Sequence, residues 1–591
     1  MRVKRENIEK FPPWSYHTFI LPFFAQVKDG ANLRPATFVS AASELAENRP
    51  SKDGKSFGTI KLSSEWKPIS WFTDDTHLVD TPPTNMVENM DGCDVMKLYN
   101  AFQYFTDPAR DLVFGRSGRG IPPLVKHFDL RPGPHGESLR DLKSKYVIEC
   151  SKGEQTWTYE LDLVRVRLIT YSTFVSMLVL ETENWTDHHS QEDIKRINEF
   201  GRHVCFPFLR TFDNESPAAK GHPSVADSIT IRGVPGLAPE AEKTDECEAD
   251  FTFMQPSWRT DLSFRHLMVP LKQLLSIWSF RQAVSSRDSV DDQKYLVNPV
   301  MDDRMYVCCL YRNEVFSQRL HMKDSEGYLI ASTKDSDVVD DFYSFAFVDA
   351  EDSSCRSSTM RRDIVKAALY DRWIDYGTVY AMSDHSFMCV TGGNWDATEA
   401  LIIKPFSNMY LEMVIMTLAQ KASILHMSSE AAKLADDFSG ISFDSKKSID
   451  AQFSSISKLQ QQNARVQNQV VLSEVTTQEQ GREMFTKMRS QLGIAESNAE
   501  LTEQVQYLYA MTATVDQERR AKAEQTRNTL FNTFAFVIGL IAVASAVVDV
   551  FSFNRKWMYW LGGSLLALAV IILVLFVAIP FFRRLKRRRT S

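Results

Sequence analysis

The sequence lacks closely spaced cysteines. Its 591 residues include eight cysteines, and none of them forms a C-x-x-C pair. Zinc ribbons and thioredoxin-like redox sites need such pairs, so both classes are excluded. Cysteines at this low density are typical of free thiols in a reducing compartment. The first residues, MRVKRENIEKFPPW, contain no apolar stretch behind their charges, so we do not expect a secretory signal peptide.

Catalytic signatures and a basic body are also missing. The chain has no G-x-S-x-G, no H-E-x-x-H and no set of protein-kinase motifs, so we expect no enzymatic activity. From Leu530 onward the sequence has eight Lys or Arg residues and one acidic residue, Asp549, which gives a net charge of +7. Because the whole chain carries −7, residues 1–529 carry −14. An acidic body does not suit direct binding of nucleic acid, which requires a basic face.

Two long apolar runs are present near the C-terminal end, at 530–551 and 557–582, and together they contain one charged residue. Each run is long enough to cross about 30 Å of hydrocarbon as a helix. Buried core helices of this length rarely contain so few charges, so we predict transmembrane helices over 530–553 and 557–582. Only 554–556 separates them, and the two helices are therefore expected to form a tight antiparallel hairpin.

The basic residues predict the orientation of this hairpin. Six Lys or Arg residues lie in the tail 583–591 and four precede the first span, whereas the turn has only Arg555 and Lys556. The positive-inside rule then places both termini in the cytoplasm. We expect a two-span protein of the cell inner membrane, with the lipid bilayer as a partner and residues 1–529 in the cytoplasm.

Residues 428–529 are predicted to form a helical stalk, because the segment is rich in Ala, Gln, Glu, Ser and Lys and has no proline. Glycines are expected to interrupt it at Gly481 and Gly493, with Ser497 or Asn498 capping the next helix. That helix is predicted to continue into the first span. Its apolar seam has heptad spacing, with Leu501, Val505, Leu508, Thr512 and Val515. A coiled-coil spacer and a stalk that transmits a signal to a pore are the two interpretations.

Residues 1–427 are predicted to form a mixed α and β body. The Tyr171-Ser172-Thr173 turn, the cap Ser190 and Asp193 in the first helical turn mark its clearest unit, two strands and a helix. Polar or Gly- and Pro-rich loops are predicted over 50–60, 213–262 and 323–340. Strands are predicted over 17–26, 159–168, 174–180, 304–311, 342–348, 378–382 and 387–390, and helices over 190–204 and 406–437. The fold class is thus an α+β cytoplasmic domain, then a long helical stalk and two C-terminal transmembrane helices.

This succession of cytoplasmic domain, stalk helix, two spans, short outer turn and basic tail resembles the CorA superfamily of divalent-cation channels. In that family a Tyr-Gly-Met-Asn signature ends the first span, and here Phe551, Ser552, Phe553 and Asn554 occupy those places. The resemblance implies a homo-oligomer, a pentamer in the family, with a divalent cation such as Mg²⁺ as the permeant ion. Because only the asparagine and an aromatic residue are retained, the motif argues against strict magnesium selectivity.

The resemblance also implies that the first span lines the pore. Counting back from Asn554 at helical spacing gives one face of the helix, with Val550 or Phe551, Val547, Val543, Leu540, Phe536 and Thr533. Most of this face is apolar, which suits a gate that closes by dewetting, and Asn554 and Thr533 would form polar rings at its ends. For Asn554 a helix cap is the alternative.

Asp549 is the one acidic residue in the predicted spans. Charge inside a bilayer is costly and often functional, so a ring of Asp549 carboxylates around the ion is one hypothesis. The residue lies about one turn from the outer end of the span. A side chain that reaches water or pairs with Arg555 or Lys556 is therefore the other hypothesis.

A second resemblance covers 159–209. This segment, with VRVRLITYSTFVSMLVLETEN followed by DIKRINEFGRHVCFPFL, looks like the body of CorA-like proteins found beside type III CRISPR systems. That resemblance implies a membrane effector of antiviral defence, gated by a nucleotide second messenger. The candidate anion-binding segment is 115–120, in which Arg116, Gly118 and Arg119 could hold a phosphate. A surface loop without a ligand is the alternative.

Two pairs of adjacent residues in the body could have a chemical role of their own, one of histidines and one of cysteines. His188 and His189 follow Asp187 and could touch a metal, but no third ligand is evident, so solvated side chains are the alternative and no resident cofactor is expected. The adjacent Cys308 and Cys309 lie in an apolar strand and are expected in the core.

A hairpin that only anchors an interaction protein is the alternative to a pore.

Overall fold

The computed structural model describes most of the body and one long helix. The chain divides into two compact units, Met1–Val505 and Gln506–Ser591. The described residues are 14–29, 32–39, 58–62, 64–69, 99–115, 124–133, 136–152, 154–202, 226–235, 295–302, 304–324, 327–328, 330, 336–350, 354–392, 398–439, 446–550, 560, 564 and 567.

Within these residues fourteen strands form one large sheet and two form a hairpin. The strands are β1 (Ser15–Asp29), β2 (Asn32–Val39), β3 (Gly58–Lys61), β4 (Trp66–Ile69), β5 (Val125–Leu130), β6 (Lys145–Lys152), β7 (Gln155–Tyr171), β8 (Val175–Asn184), β9 (Ser228–Arg232), β10 (Tyr295–Pro299), β11 (Tyr306–Arg312), β12 (Lys323–Asp324), β13 (Gly327–Tyr328), β14 (Leu369–Tyr370), β15 (Thr378–Met382) and β16 (Ser386–Thr391). The main path through the sheet is β14-β15-β16-β11-β1-β8-β7-β5-β4. Its neighbours are antiparallel except β11 and β16.

The helices surround this sheet and continue beyond it. They are α1 (Asp107–Phe114), α2 (Gln191–Gly201), α3 (Glu314–His321), α4 (Ser336–Ala346), α5 (Ser358–Ala368), α6 (Leu411–Ser439), α7 (Lys446–Arg465), α8 (Glu479–Gln491) and α9 (Ile494–Val550). π-Helical turns precede α6 at Phe406–Tyr410 and follow α7 at Val466–Val470. The predicted start of α2 is confirmed, because the Ser190 hydroxyl accepts from the Asp193 N–H while the Asp193 carboxylate accepts from the Ser190 N–H.

The predicted pair of strands lies at the centre of the sheet. β7 and β8 are joined by the predicted turn, which closes at Phe174 with a left-handed φ of +66°. The register of the pair shifts between Leu163 and Arg165. This shift is a β-bulge, and it explains why the alternation of the sequence is ambiguous at Leu163 and Val164.

Helices cover both faces of the central strands. Because side chains alternate along a strand, Phe19 of β1 lies on one face and Phe24 on the other. Phe19 belongs to the same core cluster as Ile194 of α2. On the opposite face, the ring centroid of Phe24 lies 4.7 Å from that of His426 in α6. Burial on both faces accounts for the nearly continuous apolar run of β8.

Several predicted elements of the body differ from the structure. The segment 342–348 was predicted as a strand but belongs to α4 and the turn after it. The prediction of loop over 213–262 is wrong where β9 pairs with β6. Likewise, β3 begins within 50–60, and 323–340 includes β12, β13 and the start of α4.

The helices before α9 also correct two details of the predicted stalk. Gly481 lies inside α8 and does not interrupt a helix; a Cβ there would come within 2.1 Å of the Tyr104 hydroxyl, so the glycine permits close packing. Gly493 forms the predicted turn with φ +56°, but α9 begins directly after it. Asn498 is therefore no cap, and its amide instead donates to Gln467 Oε1 at 2.9 Å.

The helix α9 is 57 residues long and confirms that one helix continues into the first apolar run. The seam predicted from heptad spacing is buried at Leu501, Val505, Leu508 and Thr512. The face of α9 that packs within the chain is therefore the face that the periodicity indicates.

Candidate functional site

The C-terminal half of α9 is apolar and uncovered. Two helical segments of the described residues are long and apolar enough to cross a bilayer, Ala400–Asp436 and Arg520–Val543. The first is 61% buried and packs on the sheet as a core helix does, whereas none of the second is buried. Such apolar surface is unfavourable in water and typical of a helix that faces lipid or another subunit. Its exposed side chains include Leu530, Phe531, Phe534, Phe536, Ile538, Leu540, Ile541 and Val543.

The predicted pore residues divide into three groups in the structure. Thr533, Leu540, Val543 and Val547 share one side of α9, because their spacings of seven, three and four residues keep them on one helical stripe. Asp549 follows Val547 by two residues and lies about 160° around the helix from it. The predicted ring at position 554 and nearly all of the second predicted span, 557–582, lie outside the described residues.

Threonine hydroxyls along the same stripe are bonded within the helix. Thr533 Oγ1 donates to the Thr529 carbonyl and Thr529 Oγ1 to the Gln525 carbonyl, each at 2.7 Å. Thr526 Oγ1 donates to the Lys522 carbonyl at 2.8 Å. The helix thus satisfies each hydroxyl proton without water, and the oxygen lone pairs remain available to accept a hydrogen bond.

The predicted anion-binding segment lies mostly outside the described residues, which do not include Arg116, Gly118 and Arg119. Gly115 is described and ends α1 with φ +65°. A Cβ at this position would lie 2.4 Å from the Val125 carbonyl oxygen. The first glycine of the segment is therefore required by its backbone conformation and by the close approach of β5.

The adjacent histidines pack against aromatic rings. The His189 ring stacks on Trp14 with centroids 4.2 Å apart, and the His188 ring meets the edge of Tyr159 at 5.6 Å. No group of three potential metal ligands occurs in the described part of the chain. These contacts support packing rather than metal binding for both histidines.

A fully buried chain of hydrogen bonds has the composition of a catalytic triad. Ser15 Oγ lies 2.8 Å from His17 Nε2, and His17 Nδ1 lies 2.7 Å from Asn198 Oδ1. Burial lowers the pKa of His17 to about 4, and burial raises the pKa of Cys309, its neighbour across the strand pair, to about 12. A nucleophile and its base need the opposite shifts and access to substrate, so this cluster supports the core rather than catalysis.

Charged side chains join β7 to its neighbouring strands and to α6. Arg165 donates to both oxygens of Asp129, at 3.0 and 2.9 Å. Arg167 is paired with Glu181 of β8 at 2.8 Å and donates to Glu412 of α6 at 2.6 Å. Burial alone would lower the pKa of Arg167, but the attraction of Glu412 and Glu181 raises it above its usual range. The alternation of β7 indicates its polar face, but nothing in the local sequence indicates that α6 covers that face.

A second buried arginine, Arg202, forms no ion pair with the residues that the structure describes. Arg202 follows α2 and is 3% exposed, and its Nη2 donates to the Val348 carbonyl at 3.3 Å. Its Nε and Nη1 have no hydrogen-bond partner in the part of the chain that the structure describes. Burial and the nearby charge of Arg304 lower the pKa of Arg202 to about 10, while Glu199 and Asp302 act in the opposite direction. A buried guanidinium with N–H groups to spare can bind an anion only where a change of conformation opens a path to it.

No protein-family model matches the chain, and a comparison with curated proteins finds no match. The uncovered half of α9 and the charge around Arg202 are then the two features of the described residues with the chemistry of a functional site. The first can interact with a bilayer or with other copies of α9. The second can interact with an anionic ligand.

Proposed function

We propose that the chain forms a homo-oligomeric membrane channel or transporter of CorA-like architecture, in which the α+β body controls an ion pore lined by α9. The observation that carries this proposal is the continuity of α9. The helix begins at the buried Ile494 and extends through an apolar stretch that is exposed from Leu530 to Val543. A single helical hairpin cannot enclose a pore, so several copies are required, and the resemblance suggests five.

The distribution of polar residues on α9 favours a pore over a simple anchor. An anchor needs only apolar residues, whereas one stripe of α9 carries the hydroxyls of Thr526, Thr529 and Thr533 before its apolar part. Phe536 and Leu540 follow on the same stripe. Polar rings that lead into an apolar constriction are typical of a pore that closes by dewetting.

A matched pair of phenylalanines tests the proposal. Phe536 lies on the proposed pore stripe, and Phe534 lies about 160° away on the same turn; they are 67% and 58% exposed. In liposomes that contain the full-length chain, we expect Phe536→Ser to increase ion flux because the hydroxyl wets the gate, and Phe534→Ser to behave as the parent protein does. Monomeric particles, or no flux through Phe536→Ser, would instead favour an anchor without a pore.

A second proposal is that an anionic ligand of the body, such as a nucleotide messenger, gates the pore. The buried charge of Arg202 motivates this proposal, because a phosphate that entered through an opening of the body could accept from its Nε and Nη1. In this form the protein would act as a membrane effector of antiviral defence, as the second resemblance implies.

The ligand proposal is tested by binding to the full-length protein in detergent. With AMP and inorganic phosphate as probes, we expect the thermal unfolding midpoint of the parent to rise and that of Arg202→Met to stay constant. Arg372→Met is the matched control, because Arg372 already pairs with Glu479 and Glu483 at the surface. Equal responses of the two variants would place the anion elsewhere.

A further inference from the structure

We infer that Lys522 forms a positively charged ring at the N-terminal entrance of the pore, and that this ring makes the pore prefer anions to divalent cations. The inference rests on the proposed function, because it requires several copies of α9 around one axis. It concerns two helical turns that precede the apolar stretch, and it reverses the ion preference that the CorA resemblance implies.

The register of α9 places these residues. Steps of three and four residues rotate an ideal helix by about 60° in one direction and about 40° in the other, so they follow one stripe. The apolar part of the proposed pore stripe includes Val543, Leu540 and Phe536. The same steps continue toward the N-terminus through Thr533, Thr529, Thr526, Lys522 and Arg519, all within the continuous helix.

The side chain of Lys522 lies at the surface of α9. Lys522, Thr526 and Thr529 are all exposed. The threonine hydroxyls donate to backbone carbonyls of α9 and add no charge. The ammonium of Lys522 is therefore the charged group nearest to the apolar constriction on this stripe.

Other basic residues of the segment lie on the opposite side of the helix. Arg520 is about 160° from Lys522, and Arg527 about 140°. Both are exposed, and positions away from the pore axis suit contact with anionic lipid headgroups. The positive-inside rule applies to all these basic residues alike, and the register of α9 is what separates Lys522 from Arg520 and Arg527.

The electrostatics of a ring determine the direction of the preference. Several like charges around a narrow axis act within the screening length of roughly 10 Å, so their potentials add at the entrance. A divalent cation has twice the charge of K⁺ and is repelled twice as strongly. Rings of Arg or Lys are typical of anion pores, as rings of Asp or Glu are of cation pores. Glu518 lies one turn before Lys522 and opposes this effect.

Ion selectivity tests the ring. We would place the Phe536→Ser protein, with its wetted gate, in planar bilayers with asymmetric KCl and with MgCl₂ on one side. When Lys522→Glu is introduced as a second substitution in this protein, we expect the sign of the reversal potential to reverse and Mg²⁺ permeation to increase several-fold. Glu518→Gln should strengthen the preference for Cl⁻. Arg520→Glu makes the same charge change on the opposite side of the helix and should leave the permeability ratio unchanged.

The other outcomes separate the charged ring from the channel itself. If Lys522→Glu and the parent carry current with the same permeability ratio, the proposed ring is wrong but the channel remains. If Lys522→Glu and Arg520→Glu shift the permeability ratio equally, the effect is one of general surface charge, and the ring is again wrong. No current in any variant contradicts the proposed function. In that case a short bismaleimide still tests the position of the residue, because copies of Lys522→Cys should cross-link and copies of Arg520→Cys should not.

Discussion

Arg167 connects two layers of the body through ion pairs, one of which is also a hydrogen bond. It lies in a strand, is 4% exposed, and pairs with Glu181 beside it and Glu412 above it. Two carboxylates around one buried guanidinium compensate for the loss of water, which makes the contact between sheet and α6 specific to this arrangement. A nonpolar strand face would bury as much area but would allow the helix to slide.

The first prediction concerns this contact. Glu412→Gln keeps the shape of the side chain but removes one of the two charges that compensate Arg167. We expect the free energy of unfolding to fall by roughly 2 kcal/mol, because Glu181 remains as a partner. Glu430→Gln is the control on the same helix; it removes a more exposed pair with Lys433 and should change stability by less than about 0.5 kcal/mol. Equal thermal midpoints for the two variants would refute the role given to Glu412.

The second prediction concerns pH. Burial holds the pKa of His17 at about 4 in the folded chain, below its ordinary value of 6.5. A histidine with a lowered folded pKa contributes stability that is complete above pH 6.5 and is lost as the pH falls toward 4, because the unfolded chain binds the proton first. We expect this loss to be roughly 3 kcal/mol between pH 7 and pH 4.

The pH effect of His17 can be separated from that of other groups by His17→Gln, which cannot gain a proton in this range. Denaturation of the detergent-solubilised chain at a series of pH values should show a shallower decline for this variant than for the parent. If the two declines were parallel, the proton would be bound elsewhere.

At the scale of elements, the successful sequence predictions used local patterns. The capping box of α2 involves residues three positions apart, and the seam of α9 repeats every seven residues. The strand prediction for 342–348 failed because its aromatic residues have a high propensity for strands. The segment is helical because apolar residues recur at helical spacing and are all buried, at Val338, Phe342, Phe345 and Ala346.

The candidate functional residues show the same division between local patterns and distant contacts. The pore stripe follows from the apolar periodicity of one segment, so it could be proposed from the sequence. Arg167 and Glu412 are separated by 245 positions, and only the folded sheet brings them together. The environment of Arg202 likewise depends on Val348 and Arg304, which belong to distant parts of the chain.

The third prediction concerns the two sides of α9. Thr533 lies on the proposed pore stripe, and Phe531 lies about 160° away. We expect a membrane-impermeant, water-soluble maleimide to modify Thr533→Cys several-fold faster than Phe531→Cys in liposomes, because one thiol meets water and the other meets lipid. A difference in membrane depth alone would give the opposite order of reaction rates, because Thr533 lies farther into the span than Phe531. Faster reaction of Phe531→Cys would mean that another face of α9 lines the aqueous path.

For the whole molecule, the division of charge determines which parts can cross a bilayer. Residues 1–529 carry −14 and are rich in buried polar contacts, whereas the remainder carries +7 in a mostly apolar segment. Translocation of the body would require the transfer of these charges, while the basic tail is retained on the side where it is made. Both arguments favour the predicted topology, with the two chain ends on the same side of the membrane and the turn 554–556 on the other.

The fourth prediction tests this topology with the chain's own cysteines as an internal control. In the predicted topology the body, including the partly exposed Cys355, faces the cytoplasm, so an impermeant maleimide should not label the parent protein in intact spheroplasts. Arg555→Cys should be labelled from outside, and Ser591→Cys only after the membrane is permeabilised. Labelling of Ser591→Cys in intact spheroplasts would mean an odd number of crossings, so that a hairpin of α9 and a second span could not exist. Labelling of the parent would instead place the body outside, and a ligand from the cytoplasm could then not reach Arg202.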